Sequence, residues 1–314
     1  MRRGTKLAAA SLGAVLSLSM AACGGDDGGS GAASGDPLSG VSITVGSKDF
    51  TENILLGEMW AQALSAAGAD VTNDTNLGGT EVNRQALTSG DSTTYPEYNG
   101  TGWTVHLGNE DPSQDPQELY DVTAEQDLAD NNIKWIGLSP FNDTYGFAAN
   151  GDLAEQEGGF DFDSMAAYLE SNPDATVCME TEFPDRPDGL VLWENATGYE
   201  LPTSQQQILD TGLIYTETAD GACDFGEVFT TDGRILELNL ELVDDPGVMI
   251  LYNVSFTMDN DVYEANAETY DEIADTILAD LDEEKMADLN KQVDIDAIPA
   301  EKVAEDYLKD VGLL

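Results

Sequence analysis

The stretch Y-P-E-Y-N-G-T-G-W, which runs from Tyr95 to Trp103, is the most informative part of the sequence for predicting the fold. Pro96 lacks a backbone donor and has a fixed φ, which predicts that no central strand runs through this point. The two glycines that follow allow backbone conformations that other residues resist. We therefore expect a strand that ends abruptly and presents Tyr98 and Thr101 at its tip, where small ligands bind in α/β folds. The alternative is that Tyr98 is a half-buried core tyrosine.

Strand and helix patterns alternate on both sides of this stretch. The segment from Val41 to Val45 alternates apolar and polar residues, which predicts a first strand. Helical spacing follows up to Ala67, with Thr51 as the expected N-cap. From Glu268 onward the pattern predicts helices alone. This alternation is typical of an α/β protein.

The N-terminus has the features of an export signal. A basic start precedes an apolar run from Leu7 to Ala22, which is shorter than the about 20 residues that a membrane-spanning helix needs. The run ends in S-M-A-A followed by Cys23, which resembles a bacterial lipobox. We expect residues 1–22 to be a lipoprotein signal peptide, with Cys23 lipidated and the protein anchored on the extracytoplasmic face of the cell membrane. Plain secretion is the alternative. Residues 23–40 are rich in glycine, serine and aspartate, which predicts a flexible tether.

The charge balance is strongly acidic. Sixty-one acidic residues against twelve basic residues give a formal charge of −49. This excess of carboxylates excludes nucleic acid as a partner. The acidic residues are spread along the chain, which indicates adaptation of the surface to high salt, where screening relieves self-repulsion.

The cysteines and the single histidine limit the chemistry. Cys178 and Cys223 are disulfide candidates in an extracytoplasmic protein, and two buried thiols are the alternative. Without a C-x-x-C pair and with His106 as the one histidine, we expect no metal site. We find no G-x-S-x-G motif, no phosphate-binding loop and no convincing Ser-His or Cys-His pairing. We therefore predict a protein that is not an enzyme and has no cofactor.

A series of short motifs is similar to the glycine betaine/carnitine/choline-binding proteins of osmoprotectant ABC transporters. The motifs are G-S-K-D-F-T-E-N (46–53), L-G-G-T (77–80), Y-P-E-Y-N-G-T (95–101), F-N-D-T-Y (141–145), F-P-D-R-P-D-G (183–189), T-T-D-G-R-I (230–235), L-N-K-Q-V-D (289–294) and the C-terminal Y-L-K-D-V-G-L-L. Together they cover essentially everything after the tether, and they occur in the order found in that family.

The resemblance implies a type II periplasmic-binding-protein-like fold, with two α/β lobes, a ligand cleft and two crossover segments. Lobe 1 would comprise residues 41–142 and 255–314, and lobe 2 residues 143–254. The chain would cross between the lobes near Pro140 to Asp143 and again near Val254 to Met258.

The resemblance also implies a ligand site. The matching positions for an aromatic cage are Tyr98, Tyr145, Phe229 and Tyr252, and those for the ligand carboxylate are Lys48 and Arg186, with the hydroxyl of Thr101 beside them. Aromatic faces attract a quaternary ammonium by cation–π interaction, and an arginine can hold a carboxylate with two hydrogen bonds.

Two alternatives to these assignments remain open. Arg186 could instead form a surface ion pair with Asp185 or Asp188, of a kind that contributes little. Tyr145 and Phe229 could be ordinary packing at the hinge.

The sequence therefore predicts an extracytoplasmic substrate-binding protein of an ABC importer, whose partners are permease and ATPase subunits. Its ligand would be a quaternary ammonium compatible solute: glycine betaine, carnitine, proline betaine or choline. Lys48 and Arg186 together favour a ligand with a carboxylate over choline. The alternatives are a binding protein for another small solute, such as an amino acid, and a solute-sensing lipoprotein without a role in transport.

Overall fold

The structure is a computed structural model that describes residues 36–314, apart from the side chain of residue 236. The predicted signal peptide (1–22), Cys23 and most of the predicted tether (23–40) lie outside the described residues.

Within residues 36–314, ten strands form two five-stranded sheets. The strands are β1 (Ser42–Gly46), β2 (Asp70–Asp74), β3 (Thr94–Tyr98), β4 (Ile133–Ile136), β5 (Tyr145–Asn150), β6 (Val177–Met179), β7 (Gln206–Ile208), β8 (Phe225–Phe229), β9 (Leu240–Leu242) and β10 (Val254–Asp259). The first sheet has the order β2-β1-β3-β10-β4 and the second has the order β7-β6-β8-β5-β9. In each sheet three parallel strands are followed by one antiparallel strand, β10 in the first and β5 in the second.

Helices connect the strands and cover the sheets. They are α1 (Thr51–Ala66), α2 (Thr80–Ser89), α3 (Asn99–Thr101), α4 (Pro116–Asn131), α5 (Gly151–Glu157), α6 (Phe162–Ser171), α7 (Leu190–Thr197), α8 (Thr211–Ala219), α9 (Arg234–Glu237), α10 (Asn260–Tyr263), α11 (Ala267–Leu278), α12 (Glu283–Asp294) and α13 (Ala300–Val311). A π-helical turn (Gly102–His106) continues α3, and short 3-10 turns occur at Phe183–Asp185 and Thr203–Gln205. Among residues 36–314, no helix combines the length and the apolar character needed to span a membrane.

Helix α1 shows how the sequence pattern produces the core. Leu56, Trp60 and Leu64 recur at helical spacing and are fully buried. The predicted N-cap is off by one residue, because Phe50 occupies the cap position and Thr51 is the first helical residue. The hydroxyl of Thr51 donates to Asp294 Oδ1 at 2.6 Å, so it joins α1 to α12 and does not cap its own helix.

The prediction that Pro96 excludes a central strand is wrong, since β3 is the middle strand of the first sheet. Strand β3 pairs with β1 at a single position, Val45 opposite Thr94, and pairs along its whole length with β10. The amide of Asn99 donates to the carbonyl of Asn253, so alternate residues of β3 form the hydrogen-bonded pairs and Pro96 is not among them. The missing N–H of Pro96 therefore faces the side where the ladder to β1 has already ended.

The second predicted crossing point is also wrong. Residues 254–258 lie within β10, which is hydrogen-bonded between β3 and β4 in the first sheet. The chain therefore returns from the second sheet earlier, between the end of β9 at Leu242 and the start of β10 at Val254. The first crossing, between β4 and β5, includes the predicted Pro140 to Asp143.

Cys178 and Cys223 form a disulfide with a Cα–Cα distance of 5.8 Å. Cys178 lies in β6 and Cys223 precedes β8, its neighbour in the second sheet. The bond therefore links strand β6 to the segment that leads into the neighbouring strand β8.

Candidate functional site

A cavity of about 530 Å³ lies where the strand ends of both sheets and the two connections between them meet. Tyr98 is the last residue of β3, Tyr145 the first of β5 and Phe229 the last of β8. Tyr252 lies in the return connection, two residues before β10. All four predicted cage residues line this cavity.

These rings touch one another, and we call them, together with Phe50, the ring cluster. The centroids of Tyr145 and Tyr252 are 5.4 Å apart, those of Tyr145 and Phe229 are 5.2 Å apart, and Tyr98 lies 6.3 Å from Tyr252. Phe50 completes the cluster, because its ring stacks on Phe229 at 4.8 Å and on Tyr98 at 6.0 Å. Phe50 was missed by the sequence analysis, although it lies within the quoted motif G-S-K-D-F, two residues after Lys48.

The hydroxyl groups of this cluster remain protonated at neutral pH. Burial raises the pKa of Tyr98, Tyr145 and Tyr252 well above the ordinary value of a tyrosine. The Tyr98 hydroxyl donates to Glu52 Oε1 at 3.0 Å. The three tyrosines therefore present the faces of neutral phenols, and hydrogen bonds from their hydroxyls hold Tyr98 and Tyr252 in place.

Lys48 follows β1 and lines the cavity, with 4% of its surface exposed. Its Nζ is 2.6 Å from Glu97 Oε1 and 5.1 Å from the centre of the Tyr98 ring. His106 Nε2 lies 2.8 Å from the other oxygen of Glu97. Burial by itself raises the pKa of Glu97, but the charge of Lys48 and the hydrogen bond to His106 outweigh it and lower that pKa below its ordinary value. Lys48 therefore already has a permanent anionic partner.

Arg186 is also paired with carboxylates of the protein. An arginine has five N–H donors, and here each of them points at an acceptor. Nε and Nη2 donate to the two oxygens of Asp188, both at 2.8 Å. Nη2 also donates to Thr101 Oγ1 at 3.1 Å, and Nη1 donates to Thr80 Oγ1 at 3.1 Å and Glu182 Oε2 at 3.3 Å.

The position of Arg186 relative to the cavity differs from that of Lys48. Within the part of the chain that the structure describes, the cavity lining includes Thr80, Thr101 and Glu182 but not Arg186. The guanidinium lies behind these side chains, 7% exposed by residue, with its central carbon 5.5 Å from the Tyr145 ring centre. The partner considered from sequence, Asp188, is thus present, but as part of a buried pair and not a surface pair.

Two carboxyl groups lie against the hydroxyl of Thr231, and one of them, Asp143, lines the cavity. Thr231 Oγ1 is 2.6 Å from Glu52 Oε2 and 2.6 Å from Asp143 Oδ1. One hydroxyl supplies one proton, so it can donate to only one of the two. Burial raises the pKa of both groups, and for Asp143 the charge of Glu52 adds to the increase. Burial and the proximity of the two groups therefore both disfavour ionisation of this pair.

The lining of the cavity is acidic. Its lining includes six acidic side chains, Asp49, Asp143, Glu180, Glu182, Asp210 and Asp294. The two basic residues of the lining, Lys48 and Arg234, are each held in an ion pair with the protein. This electrostatic setting is suited to a positively charged ligand.

Comparisons with known proteins agree with this architecture. A family described as the substrate binding domain of ABC-type glycine betaine transport system matches residues 41–310. The glycine betaine-binding protein YehZ of Escherichia coli is 31% identical over 88% of this chain and 93% of its own length. The glycine-betaine-binding protein of Pseudomonas aeruginosa is 32% identical, over 87% of this chain and 89% of its own length.

A solved structure is similar as well. Apo YehZ from Escherichia coli superimposes with a TM-score of 0.62 at 29% identity, covering 87% of this chain and 99% of that one. The resemblance seen in the motifs and the type II periplasmic-binding-protein-like α/β fold implied by it are thereby confirmed. The prediction that the protein is not an enzyme is confirmed through its relatives, since the matched family consists of solute-binding domains. The chain belongs to the family of substrate-binding domains of ABC-type glycine betaine transport systems.

Proposed function

We propose that the cavity binds a quaternary ammonium compatible solute, such as glycine betaine, carnitine, proline betaine or choline. The observation that carries the proposal is the ring cluster, in which Tyr98, Tyr145, Phe229 and Tyr252 line one cavity. A quaternary ammonium has no N–H donor and a diffuse charge, so aromatic faces suit it better than hydrogen-bond acceptors do. Each such face contributes about 0.5–2 kcal/mol, depending on how far water is excluded.

The opposite end of a carboxylated ligand would lie near Lys48, Thr101 and Arg186. Lys48 and Thr101 line the cavity, and Arg186 stands directly behind the Thr101 hydroxyl. Arg186 can act on the ligand by orienting that hydroxyl, or by exchanging one of its own contacts for the ligand. We propose that the binding residues are these three side chains, the four predicted cage residues Tyr98, Tyr145, Phe229 and Tyr252, and Phe50.

The transport role follows from the family. As the substrate-binding domain of an ABC importer, the protein works outside the cytoplasm, takes up a small molecule and delivers it to permease and ATPase subunits. We further propose that the predicted division into residues 41–142 with 255–314 and residues 143–254 forms two lobes that close around the ligand, with its second boundary moved back to the connection between Leu242 and Val254. The two sheets and their two connections support that division.

We also propose a lipid anchor at Cys23, following a signal peptide at residues 1–22 and preceding a tether at 23–40. Support comes from the lipobox-like sequence before Cys23. The test is the Cys23→Ser variant, which should move from the membrane to the soluble fraction of the producing cell. A variant that stayed on the membrane would overturn the anchor.

Adaptation to high salt is a further part of the proposal, supported by the formal charge of −49. Thermal melts in low salt and in molar potassium chloride test it. Because salt screens repulsion between exposed carboxylates, we expect a higher melting temperature in molar salt. Equal melting temperatures in both buffers would contradict salt adaptation.

The ligand assignment is tested by calorimetry at high salt with glycine betaine, carnitine, proline betaine, choline and a set of amino acids. We expect saturable binding of at least one quaternary ammonium and weaker or no binding of the amino acids, whose primary ammonium groups require hydrogen-bond acceptors. Tighter binding of an amino acid than of every quaternary ammonium would overturn the proposal.

A further inference from the structure

We propose that the carboxylate of Glu182 occupies the place that the carboxylate of a zwitterionic solute takes on binding. Glu182 would then be an internal competitor that sets the preference between carboxylated betaines and choline. This inference rests on the proposed function of the cavity, and it adds a specificity-determining residue to it.

The contacts of Glu182 are those expected of a bound carboxylate. Oε1 accepts from the backbone N–H of Thr80 at 3.1 Å, and Oε2 accepts from Arg186 Nη1 at 3.3 Å. Thr80 is the first residue of α2, a ten-residue helix whose N-cap, Gly79, provides no side-chain hydrogen bond. The partial positive charge of that helix end and the guanidinium of Arg186 therefore face the same carboxylate.

Gly79 is adapted to this arrangement. A Cβ at Gly79 would meet Glu182 Oε1, so the absence of a side chain allows a carboxylate to approach the start of α2 closely. This close approach joins connections that belong to different sheets. Gly79 follows β2 of the first sheet and precedes α2, and Glu182 follows β6 of the second sheet. Both residues line the cavity, so the carboxylate of a ligand in the cavity can reach the position that the Glu182 carboxylate occupies.

Comparison of the two carboxylates on Arg186 shows which one can be exchanged. Asp188 has a fully buried side chain, binds the guanidinium through two hydrogen bonds at 2.8 Å, and accepts a further hydrogen bond from Tyr252. The Glu182 side chain is 35% exposed and holds Arg186 through one longer contact. Partly exposed single ion pairs contribute little to stability, so Glu182 can leave while Asp188 stays.

The consequence for specificity depends on charge. A betaine must displace the Glu182 carboxylate or place its own carboxylate beside it, and either change weakens binding. Choline carries no carboxylate, so it leaves Glu182 in place and gains from the negative charge near its ammonium. Glu182 therefore shifts the preference of the cavity toward choline-type ligands.

The experiment measures the dissociation constants of glycine betaine and choline by calorimetry for the wild type, Glu182→Ala and Glu182→Gln. In Glu182→Ala we expect glycine betaine to bind about tenfold more tightly, since the competitor is gone, while choline binds no better than before. Glu182→Gln removes the charge but keeps an acceptor for the Thr80 amide, so its ratio of the two constants should lie between those of the other proteins.

The matched control is Asp185→Ala, which removes one acidic residue at an exposed position of the 3-10 turn that follows Glu182. A ratio of the two constants that changes equally in Asp185→Ala and Glu182→Ala would overturn the inference, because the effect would then be one of net charge. An unchanged ratio in Glu182→Ala would overturn it as well. A wild type that binds neither of these solutes, and neither carnitine nor proline betaine, would instead overturn the proposed function, and the inference with it.

Discussion

The ring cluster and the ion pairs beside it are built on opposite plans. In the ring cluster the side chains contact one another, with Tyr145 5.2 Å from Phe229 and 5.4 Å from Tyr252, and their faces carry no formal charge. Beside it, each cation is bound to a carboxylate of the protein: Lys48 to Glu97 and Arg186 to Asp188. We call these two pairs the ion-pair cluster.

This difference shows which part of the site can accept a ligand without breaking an ion pair of the protein. Rings that contact one another lose little free energy when a ligand cation enters between them. The dispersion and cation–π contacts with the ligand replace the ring–ring contacts that are lost. A cation that is already paired offers a ligand carboxylate only an exchange of partners. Discrimination among ligands should therefore arise at the ion-pair cluster, and most of the affinity at the ring cluster.

The largest expected effect is on stability, in Asp188→Ala. The change leaves the buried Arg186 guanidinium without its two-bond partner, and it also removes the acceptor of the Tyr252 hydroxyl. An uncompensated buried charge costs about 3–5 kcal/mol in the free energy of unfolding. Denaturant titration measures it. Glu182→Ala is the control and should cost less than about 1 kcal/mol, because it removes a partly exposed partner. Equal losses in the two variants would contradict the distinction between a fixed and an exchangeable carboxylate.

The next effect is on binding, in Tyr145→Ala. Tyr145 contacts Phe229, Tyr252 and Phe183, so its loss opens the centre of the ring cluster. We expect binding of the preferred quaternary ammonium to weaken by about thirtyfold, or about 2 kcal/mol, through the lost cation–π contact. Tyr145→Phe keeps the aromatic face and should bind within a few-fold of the wild type. Calorimetry with both variants decides it, and unchanged binding in the alanine variant would remove Tyr145 from the site.

The smallest effect is a pH dependence of stability that arises near the ion-pair cluster, at Glu227 in β8. Burial, followed by the charge of Glu180, raises the pKa of Glu227 from 4.5 to about 8 in the folded protein. Between these two values the folded chain holds a proton that the unfolded chain releases. The contribution of Glu227 is therefore complete below pH 4.5 and is lost as the pH rises to about 8.

The measurement for this effect is the free energy of unfolding from about pH 5 to about pH 6.5 for the wild type and Glu227→Gln. Glutamine cannot ionise and keeps an acceptor for the backbone N–H of Glu180, which Glu227 accepts at 2.9 Å. We expect the wild type to lose about 1–2 kcal/mol more than the variant over this range. Parallel curves for the two proteins would show that Glu227 does not titrate there.

The sequence predicted the rings better than the charges, for a physical reason. Tyr98, Tyr145 and Phe229 stand at strand ends, and strand ends can be recognised from local alternation and turn chemistry. The state of a cation depends on which acid the folded chain brings to it. Glu182 reaches Thr80 across 102 positions of sequence, and local patterns carry no record of such a contact.

The same reasoning explains the errors in the fold. Pro96 lacks an N–H wherever it stands, and only the register with β1 and β10 shows that no partner is needed there. Residues 254–258 have the composition of a buried strand, but their place between β3 and β4 follows from tertiary pairing alone. Asp188 was considered as a partner of Arg186, and its burial depends on the packing of Tyr252 and Thr104 around it.

Strand β10 has a consequence for how this protein reaches its working state. In the first sheet, the place between β3 and β4 is filled by a strand that follows all five strands of the second sheet in the chain. A chain that emerges N-terminus first can complete the second sheet before the strand that pairs with both β3 and β4 is present. Because that joining requires contacts between distant parts of the chain, it is the slow kind of step in folding. The first sheet can therefore be completed only after the C-terminal part of the chain has crossed the membrane. This order of events is compatible with export of the chain before it folds.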